Sequence, residues 1–292
     1  MIAVDKALLH RMPLPEHAGD ADKDARGRVL AIGGSLEVPG GILLASVAAL
    51  RAGAGKLQIA TCASLAPLLG LSVPEALVVA LPETPAGGID PAAFDLLRDK
   101  IGRCDAVLLG PGMADAPAAG ALARAVIGLE CRTGLVLDAA ALADLNGAAA
   151  LLNARGCDTV LTPHAGEMAG MLGIDRDQVI AEPERIAAET AARLGCIVAL
   201  KGGETVIAAP DGRTFHYRGG GIGLATSGSG DTLAGIVTGL MARGADGLTA
   251  AVWGVYLHGQ AGRRLAKRGG RIGFLARELL AEVPLVMAKH CR

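Results

Sequence analysis

Aromatic residues are nearly missing from this chain: three Phe, two Tyr and one Trp make up 2% of 292 residues. A surface that stacks nucleic-acid bases needs several rings along a groove, so six in total argue against one. Basic runs are missing as well, and the formal net charge is −1, which leaves no electrostatic footprint for a nucleic-acid partner. No apolar stretch reaches about 18 residues without a charge or a proline, so no membrane span is expected. The opening Met1-Ile-Ala-Val-Asp-Lys6 holds neither the basic nor the apolar region of a secretion signal. Six cysteines (Cys62, Cys104, Cys131, Cys157, Cys196 and Cys291) are scattered, with no C-x-x-C pair. That spacing gives no zinc knuckle and no disulfide framework. It fits a reducing cytoplasm, with most thiols serving as small core fillers.

What remains is a chain with 51% apolar residues, whose core must be built from Ala, Leu, Val and Gly. Its length allows a substantial core. Residues 1–26 are polar and irregular, with Pro13, Pro15 and the run Asp20-Ala-Asp-Lys-Asp24, and read as an N-terminal arm. No linker or change of composition follows, so residues 27–292 are expected to form one domain. Short apolar runs at Val29–Ile32, Leu57–Thr61, Ala76–Ala80, Ala106–Leu109, Leu135–Asp138, Thr159–Leu161 and Cys196–Leu200 predict strands. Most lack polar alternation, as strands buried on both faces should. Helical patterns near 41–52, 91–102, 116–128 and 183–194 fall between several of them. The alternation predicts an α/β fold with a mainly parallel sheet and helices on both faces. Beyond Lys201, Thr205–Ala209 and Arg213–Tyr217 flank Pro210-Asp-Gly212 as a hairpin. Helices near 230–243, 246–267 and 275–289 follow.

The segment Ala225-Thr-Ser-Gly-Ser-Gly-Asp231-Thr-Leu-Ala-Gly-Ile-Val-Thr-Gly-Leu240 carries the most chemistry. Leu233, Ile236, Val237 and Leu240 recur at helical spacing, so a buried helix should begin near Ser229 or Gly230. The small residues before it leave backbone N–H groups free to close on an anion. A helix N-terminus adds unpaired amides and the positive end of a dipole. Asp231 is out of place beside a phosphate unless it takes a proton from an attacking hydroxyl or holds magnesium. An ordinary N-cap explains the same residues.

Ligands of open α/β sheets bind at the carboxyl ends of the strands. Gly33-Gly-Ser35, Gly110-Pro-Gly112, Asp138, Thr162-Pro-His-Ala-Gly-Glu167 and Lys201-Gly-Gly203 each follow a predicted strand. All therefore fall on one rim, which favours a nucleotide or phosphate site. Ala52-Gly-Ala-Gly-Lys56 is not a P-loop, because Leu50 and Leu57 stand where Gly and Ser or Thr are required. The glycines at 33, 34, 40 and 41 do not make G-x-G-x-x-G either.

Lys201 suits a phosphate contact, with two glycines beside it for close approach; a solvated lysine at a strand end is the alternative. His164 and Glu167 are spaced i, i+3. Glu167 either holds magnesium through water or is a first-turn carboxylate favoured by the dipole. No further His or Cys lies near enough in sequence to suggest zinc. His258 reads as a structural, hydrogen-bonded histidine and Trp253 as core.

Taken in order, Gly33-Gly-Ser35, Ala48-Ala-Leu-Arg-Ala-Gly-Ala-Gly55, Gly110-Pro-Gly112, Leu137-Asp138, Thr162-Pro-His-Ala-Gly-Glu167, Leu200-Lys-Gly202 with Thr205, and Gly228-Ser-Gly-Asp231 form a specific set. Over about residues 23–285 the chain resembles the ADP/ATP-dependent NAD(P)H-hydrate dehydratases of the ribokinase-like superfamily. The resemblance implies a ribokinase-like three-layer α/β/α fold. It implies a lyase that repairs hydrated NADH and NADPH: ADP or ATP, with Mg2+, phosphorylates the ring hydroxyl and phosphate then leaves. Asp231 would be the base. Gly41, Gly112, His164 and Asp231 would face the hydrated dinucleotide, while Lys201, Gly202, Gly203, Glu204, Thr205 and Gly230 would hold the adenine nucleotide. A cytoplasmic homo-oligomer without the epimerase domain of some relatives is expected.

Three departures stand near these ligands. The family's usual Asp-Ala-Asp-Ala-Leu is Asp138-Ala-Ala-Ala-Leu142 here, its Gly-Ala after the first loop is Gly40-Gly41, and its Gly-Asn-Pro-Gly is Gly220-Gly-Ile-Gly223. Two other readings keep the nucleotide site: a kinase for a sugar or vitamin-precursor alcohol, and a nucleotide-binding protein without turnover.

Overall fold

The computed structural model describes residues 1–290 except 18, 20, 21 and 144, so Cys291 lies outside the described residues. Ten strands make one sheet: β1 (Ile2–Ala3), β2 (Arg28–Ile32), β3 (Lys56–Cys62), β4 (Ala76–Leu81), β5 (Ala106–Leu109), β6 (Gly134–Leu137), β7 (Thr159–Leu161), β8 (Ile197–Leu200), β9 (Thr205–Ala208) and β10 (Thr214–Tyr217). The helices are α1 (Lys6–Arg11), α2 (Pro39–Arg51), α3 (Ala66–Ser72), α4 (Phe94–Ile101), α5 (Ala116–Ile127), α6 (Ala149–Ala154), α7 (Ala165–Leu172), α8 (Arg176–Ala181), α9 (Pro183–Leu194), α10 (Ser229–Ala242), α11 (Gly247–Gly269) and α12 (Ala276–Met287).

Strand order is β1-β10-β9-β8-β7-β6-β5-β2-β3-β4. Pairing is parallel from β4 through to β8, and β9 runs antiparallel to both its neighbours. Alternate residues of one strand feed opposite layers, as a pleated backbone demands. Val29 and Ala31 pack toward α2, α10, α11 and α12, while Leu30 and Ile32 pack toward α4, α5 and α9. Each of these buried aliphatic side chains larger than alanine contributes roughly 1.5–3 kcal/mol. The result is the three-layer α/β/α arrangement with a mainly parallel sheet.

Small residues bring two helices together. A β-carbon on Gly235 would lie 2.1 Å from the carbonyl oxygen of Ala45, and one on Gly239 would lie 2.3 Å from that of Ala49. Backbone therefore meets backbone where α10 packs on α2.

Two expectations change. Residues 1–26 are not wholly irregular: β1 joins the sheet edge beside β10, and α1 is capped by Asp5, whose carboxylate accepts the Leu8 N–H at 2.9 Å. A two-residue strand has no period to read, and α1 offers only Leu8 and Leu9 to the core. The strand β4 is not buried on both faces; Leu77 is 56% exposed because β4 closes one end of the sheet. Among the described residues no helix is long and apolar enough to cross a membrane.

Candidate active site

Strands β8, β7, β6, β5 and β2 are consecutive and parallel, so their carboxyl ends form one rim. In that order the rim carries Lys201, the Thr162–Glu167 loop, Asp138, the Gly110–Gly112 loop and the Gly33–Ser35 loop. The N-terminus of α10 meets the rim. Its N-cap, Gly228, has φ +84° and supplies no side-chain acceptor. A β-carbon there would also collide with Leu44, so only glycine fits. The first turn is left uncapped by any side chain, with Gly230 and Asp231 within it.

Asp231 stands between closely packed glycine loops and a cavity whose border its neighbour Gly230 shares. On one side the glycine loops converge: Gly34 N–H donates to Pro111 O at 2.8 Å. A β-carbon on Gly41 would lie 2.7 Å from Gly112 N and 3.0 Å from Asp231 Oδ1. On the other side lies a cavity of about 700 Å³ bordered by His164, Lys201, Gly202, Gly203, Thr205 and Gly230. Burial, followed by the charge of Asp138, pushes the Asp231 carboxyl up to about 6, against the pull of Lys201. A carboxyl group tuned this way is ionised at neutral pH and basic enough to accept a proton.

Lys201 is the centre of the charge arrangement. Its Nζ is 2.8 Å from Asp138 Oδ1 and 3.7 Å from Glu167 Oε2. Burial opposes its charge, but Asp138 and Glu167 outweigh that and raise the ammonium above its usual range. Asp138 Oδ1 also accepts the Thr162 hydroxyl at 2.7 Å. Lys201 is thus a partnered, partly buried cation and not a solvated strand-end lysine.

His164 is the N-cap of α7. Its Nδ1 accepts the Glu167 N–H at 3.1 Å, and Glu167 Oε2 accepts the His164 N–H at 2.7 Å, which closes a capping box. The first-turn role of Glu167 is therefore in place, and Oε1 remains free of a backbone donor among the described contacts. Glu204 is turned away from the cavity: its Oε2 lies 3.1 Å from both His216 Nε2 and Arg218 Nε.

A family model described as NAD(P)H-hydrate dehydratase matches residues 29–285. The chain belongs to that family. It is 49% identical over 284 residues to an ADP-dependent (S)-NAD(P)H-hydrate dehydratase of Xanthomonas campestris, covering 97% of this chain and 95% of that one. It also matches bifunctional repair enzymes and spans about half their length, 52% of the one from Moorella thermoacetica. Among solved structures it superposes on the ADP/ATP-dependent NAD(P)H-hydrate dehydratase of Bacillus subtilis co-crystallised with ATP and Mg2+. That match has a TM-score of 0.85 at 29% identity and covers 99% and 98% of the two chains. A ribokinase-like superfamily protein of Enterococcus faecalis matches with a TM-score of 0.78 at 28% identity, over 99% and 96%. The fold is ribokinase-like, as the motifs implied.

Other residues border this cavity that the sequence does not assign to a ligand. Tyr217, Ile222, Leu224, Thr226, Ser229 and His258 all line it. Thr226 and Ser229 stood in the small-residue run and carried a signal; Tyr217 and His258 come from distant elements and carried none. His258 is hydrogen-bonded, as expected, with Nε2 2.9 Å from Ser229 Oγ. Burial and the nearby Lys201 pull it down to about 4, so it is neutral at physiological pH.

The donor chemistry suits magnesium. Three carboxyl groups, Asp138, Glu167 and Asp231, surround one ammonium. An anionic nucleotide entering alone meets excess negative charge, which a cation carried on its phosphates would offset. Such a hard ion takes oxygen ligands and keeps several waters, so one protein carboxylate suffices. Among the described residues no group of three or more His, Cys, Asp or Glu is arranged to cage a metal by itself.

Proposed function

We propose that this chain restores hydrated NADH or NADPH at the expense of ADP or ATP, and that Asp231 is its base. The observation that carries the reading is the position of Asp231, facing Gly41 beside Gly112 and adjoining Gly230 at the border of the cavity that Lys201 also lines. The hydrated dinucleotide lies against Gly41 and Gly112 and extends past Asp231 to His164, at the border of the cavity that Lys201 lines. The nucleotide lies against Lys201, Gly202, Gly203, Thr205 and Gly230, with Glu204 acting only through its backbone. Asp231 accepts the proton of the ring hydroxyl, whose oxygen bonds to the terminal phosphorus while the P–O bond to the departing nucleotide breaks. Lys201 and the uncapped amides of α10 stabilise the charge on the transferred group. The carbon–oxygen bond then breaks as phosphate leaves with the electron pair, a neighbouring ring carbon gives up its proton to solvent water, and the C–H electrons form the returning ring double bond. Charge on the phosphates would be neutralised by magnesium, held through water on Glu167.

We take residues 27–292 as one catalytic unit with residues 1–26 as an arm upon it, acting in the cytoplasm as a homo-oligomer. The free thiols among the described cysteines support the compartment. Exposed Leu68, Leu71 and Leu77 support assembly, which light scattering checks.

The test mixes the purified protein with chemically hydrated NADH, magnesium and either nucleotide, and follows the dihydronicotinamide absorbance band. A nucleotide-dependent rise that disappears in Asp231→Asn is expected. A stable phosphoester of the hydrate, or no change, would overturn the reading.

A further inference from the structure

Asp138 is held far more firmly than a residue that merely ends a strand. It is 2% exposed, and a single oxygen, Oδ1, accepts from both the Thr162 hydroxyl and the Lys201 ammonium. Its own carbonyl is packed against Gly110, where φ is +122° and a β-carbon would lie 1.8 Å from that oxygen. The next residue, Ala139, has φ +50° and is the one non-glycine residue with a positive φ among the described residues. An alanine in the left-handed region is strained, because its β-carbon crowds the following carbonyl oxygen. Such a conformation persists only where its surroundings over-determine it, and it clusters at functional sites. A strand-end lysine reaching into solvent would need none of this construction.

We infer that Asp138 is a positioning residue for phosphoryl transfer, holding the Lys201 ammonium at the junction between the nucleotide cavity and Asp231. The geometry on the far side agrees: a β-carbon on Gly230 would lie 3.1 Å from Lys201 Nζ, so the ammonium stands over the first turn of α10, one residue from the base. Lysine has three rotatable donors on a flexible stem and is not oriented by its own shape. Thr162 fixes the carboxylate, the carboxylate fixes the ammonium, and the ammonium stays charged despite its burial. The price is a negative charge beside a site for anions, and this sets the signature of the arrangement. Removing the Asp138 charge favours nucleotide binding while it unfixes the group that acts during transfer.

The inference rests on Lys201 contacting the nucleotide. Its test compares wild type with Asp138→Asn, measuring kcat, melting temperature, and the affinity for ADP and ATP by calorimetry with magnesium and with a chelator. In Asp138→Asn we expect kcat to fall about 10²-fold, the scale of misplacing a reacting partner by an ångström. Metal-free nucleotide should bind as tightly as to wild type or more tightly. Thr162→Val, which removes only the hydroxyl that holds Asp138, should change kcat in the same direction by a smaller factor. The inference is overturned if Asp138→Asn keeps kcat within about twofold. It is equally overturned if kcat, metal-free affinity and melting temperature all fall together, as in a loosened fold. Should Asp138→Asn not fold, Thr162→Val decides, and an unchanged kcat there overturns it. A wild-type protein inert toward the hydrate would sink the dehydratase reading alone. The binding arm would then decide for Asp138, with weaker metal-free binding in Asp138→Asn counting against it.

Discussion

Gly41 faces Asp231 across a gap that admits no side chain: a β-carbon on the glycine would stand 3.0 Å from Oδ1 and closer still to the backbone of Gly112. Gly41→Ala must therefore displace backbone, because Gly112 has φ +70° and its own β-carbon position is filled by the Val38 carbonyl. We expect a loss of about 1–3 kcal/mol in stability, as for other overpacked sites. The KM for the hydrated dinucleotide should rise while nucleotide affinity is kept. Thermal denaturation together with steady-state kinetics checks both.

The rate should depend on pH through Asp231. Its carboxyl group titrates near 6, and the base must be ionised to accept a proton. Activity is expected to be lost as pH falls through about 6 and to level off above it. In Asp231→Asn kcat should drop by about 10²–10⁴-fold, the usual worth of a positioned base. A wild-type profile flat down to pH 5 would remove Asp231 from that role.

The same carboxyl group lowers stability at neutral pH. Its ordinary value is 3.8 and its folded value is about 6, so between them the folded state keeps a proton that the unfolded state has lost. Stability falls as pH rises across that window and is lower above it. Asp231→Asn should accordingly be more stable than wild type at pH 7, by about 1–3 kcal/mol, and no more stable well below pH 4. Urea unfolding at the two pH values measures the difference.

Glu167→Gln separates two functions of one side chain. Glutamine completes a capping box as glutamate does, so the melting temperature should change little. It lacks the charge that a water-bound cation requires, so the magnesium concentration for half-maximal activity should rise several-fold. Equal magnesium dependence in both proteins would confine Glu167 to capping.

Gly235→Ala tests whether the helix contact aligns the site. A methyl group 2.1 Å from the Ala45 carbonyl oxygen must push α10 away from α2. We expect about 1–3 kcal/mol of destabilisation and a lower kcat, although Gly235 touches no ligand. Chemical unfolding and kcat measured on the same preparation decide it.

The frame of the molecule was legible because its strands are apolar runs of Val, Ile and Leu set between helical patterns. Runs such as Ala106–Leu109 and Thr159–Leu161 coincide with β5 and β7. Strand ends then ordered the rim without any structure, since all parallel strands deliver their loops to one edge. What could not be read is which side chain turns to which. Lys201 and Asp138 are 63 residues apart, and only the sheet makes them neighbours. The family resemblance groups Glu204 with the nucleotide, whereas in the fold its carboxylate pairs with His216 and Arg218. His164 as an N-cap had no warning, because histidine is outside the usual capping set of Ser, Thr, Asp and Asn.

The near absence of aromatic residues has an optical consequence. Trp253 is the chain's one indole, is buried, and donates its Nε1–H to the carbonyl of Met12 at 2.6 Å. Its emission therefore reports whether the N-terminal arm is docked. If the arm detaches, the fluorescence should shift to the red while the rim, which lacks tryptophan, stays intact. Far-ultraviolet circular dichroism, which global unfolding abolishes and loss of the arm leaves almost unchanged, read beside the fluorescence then separates loss of the arm from loss of the fold.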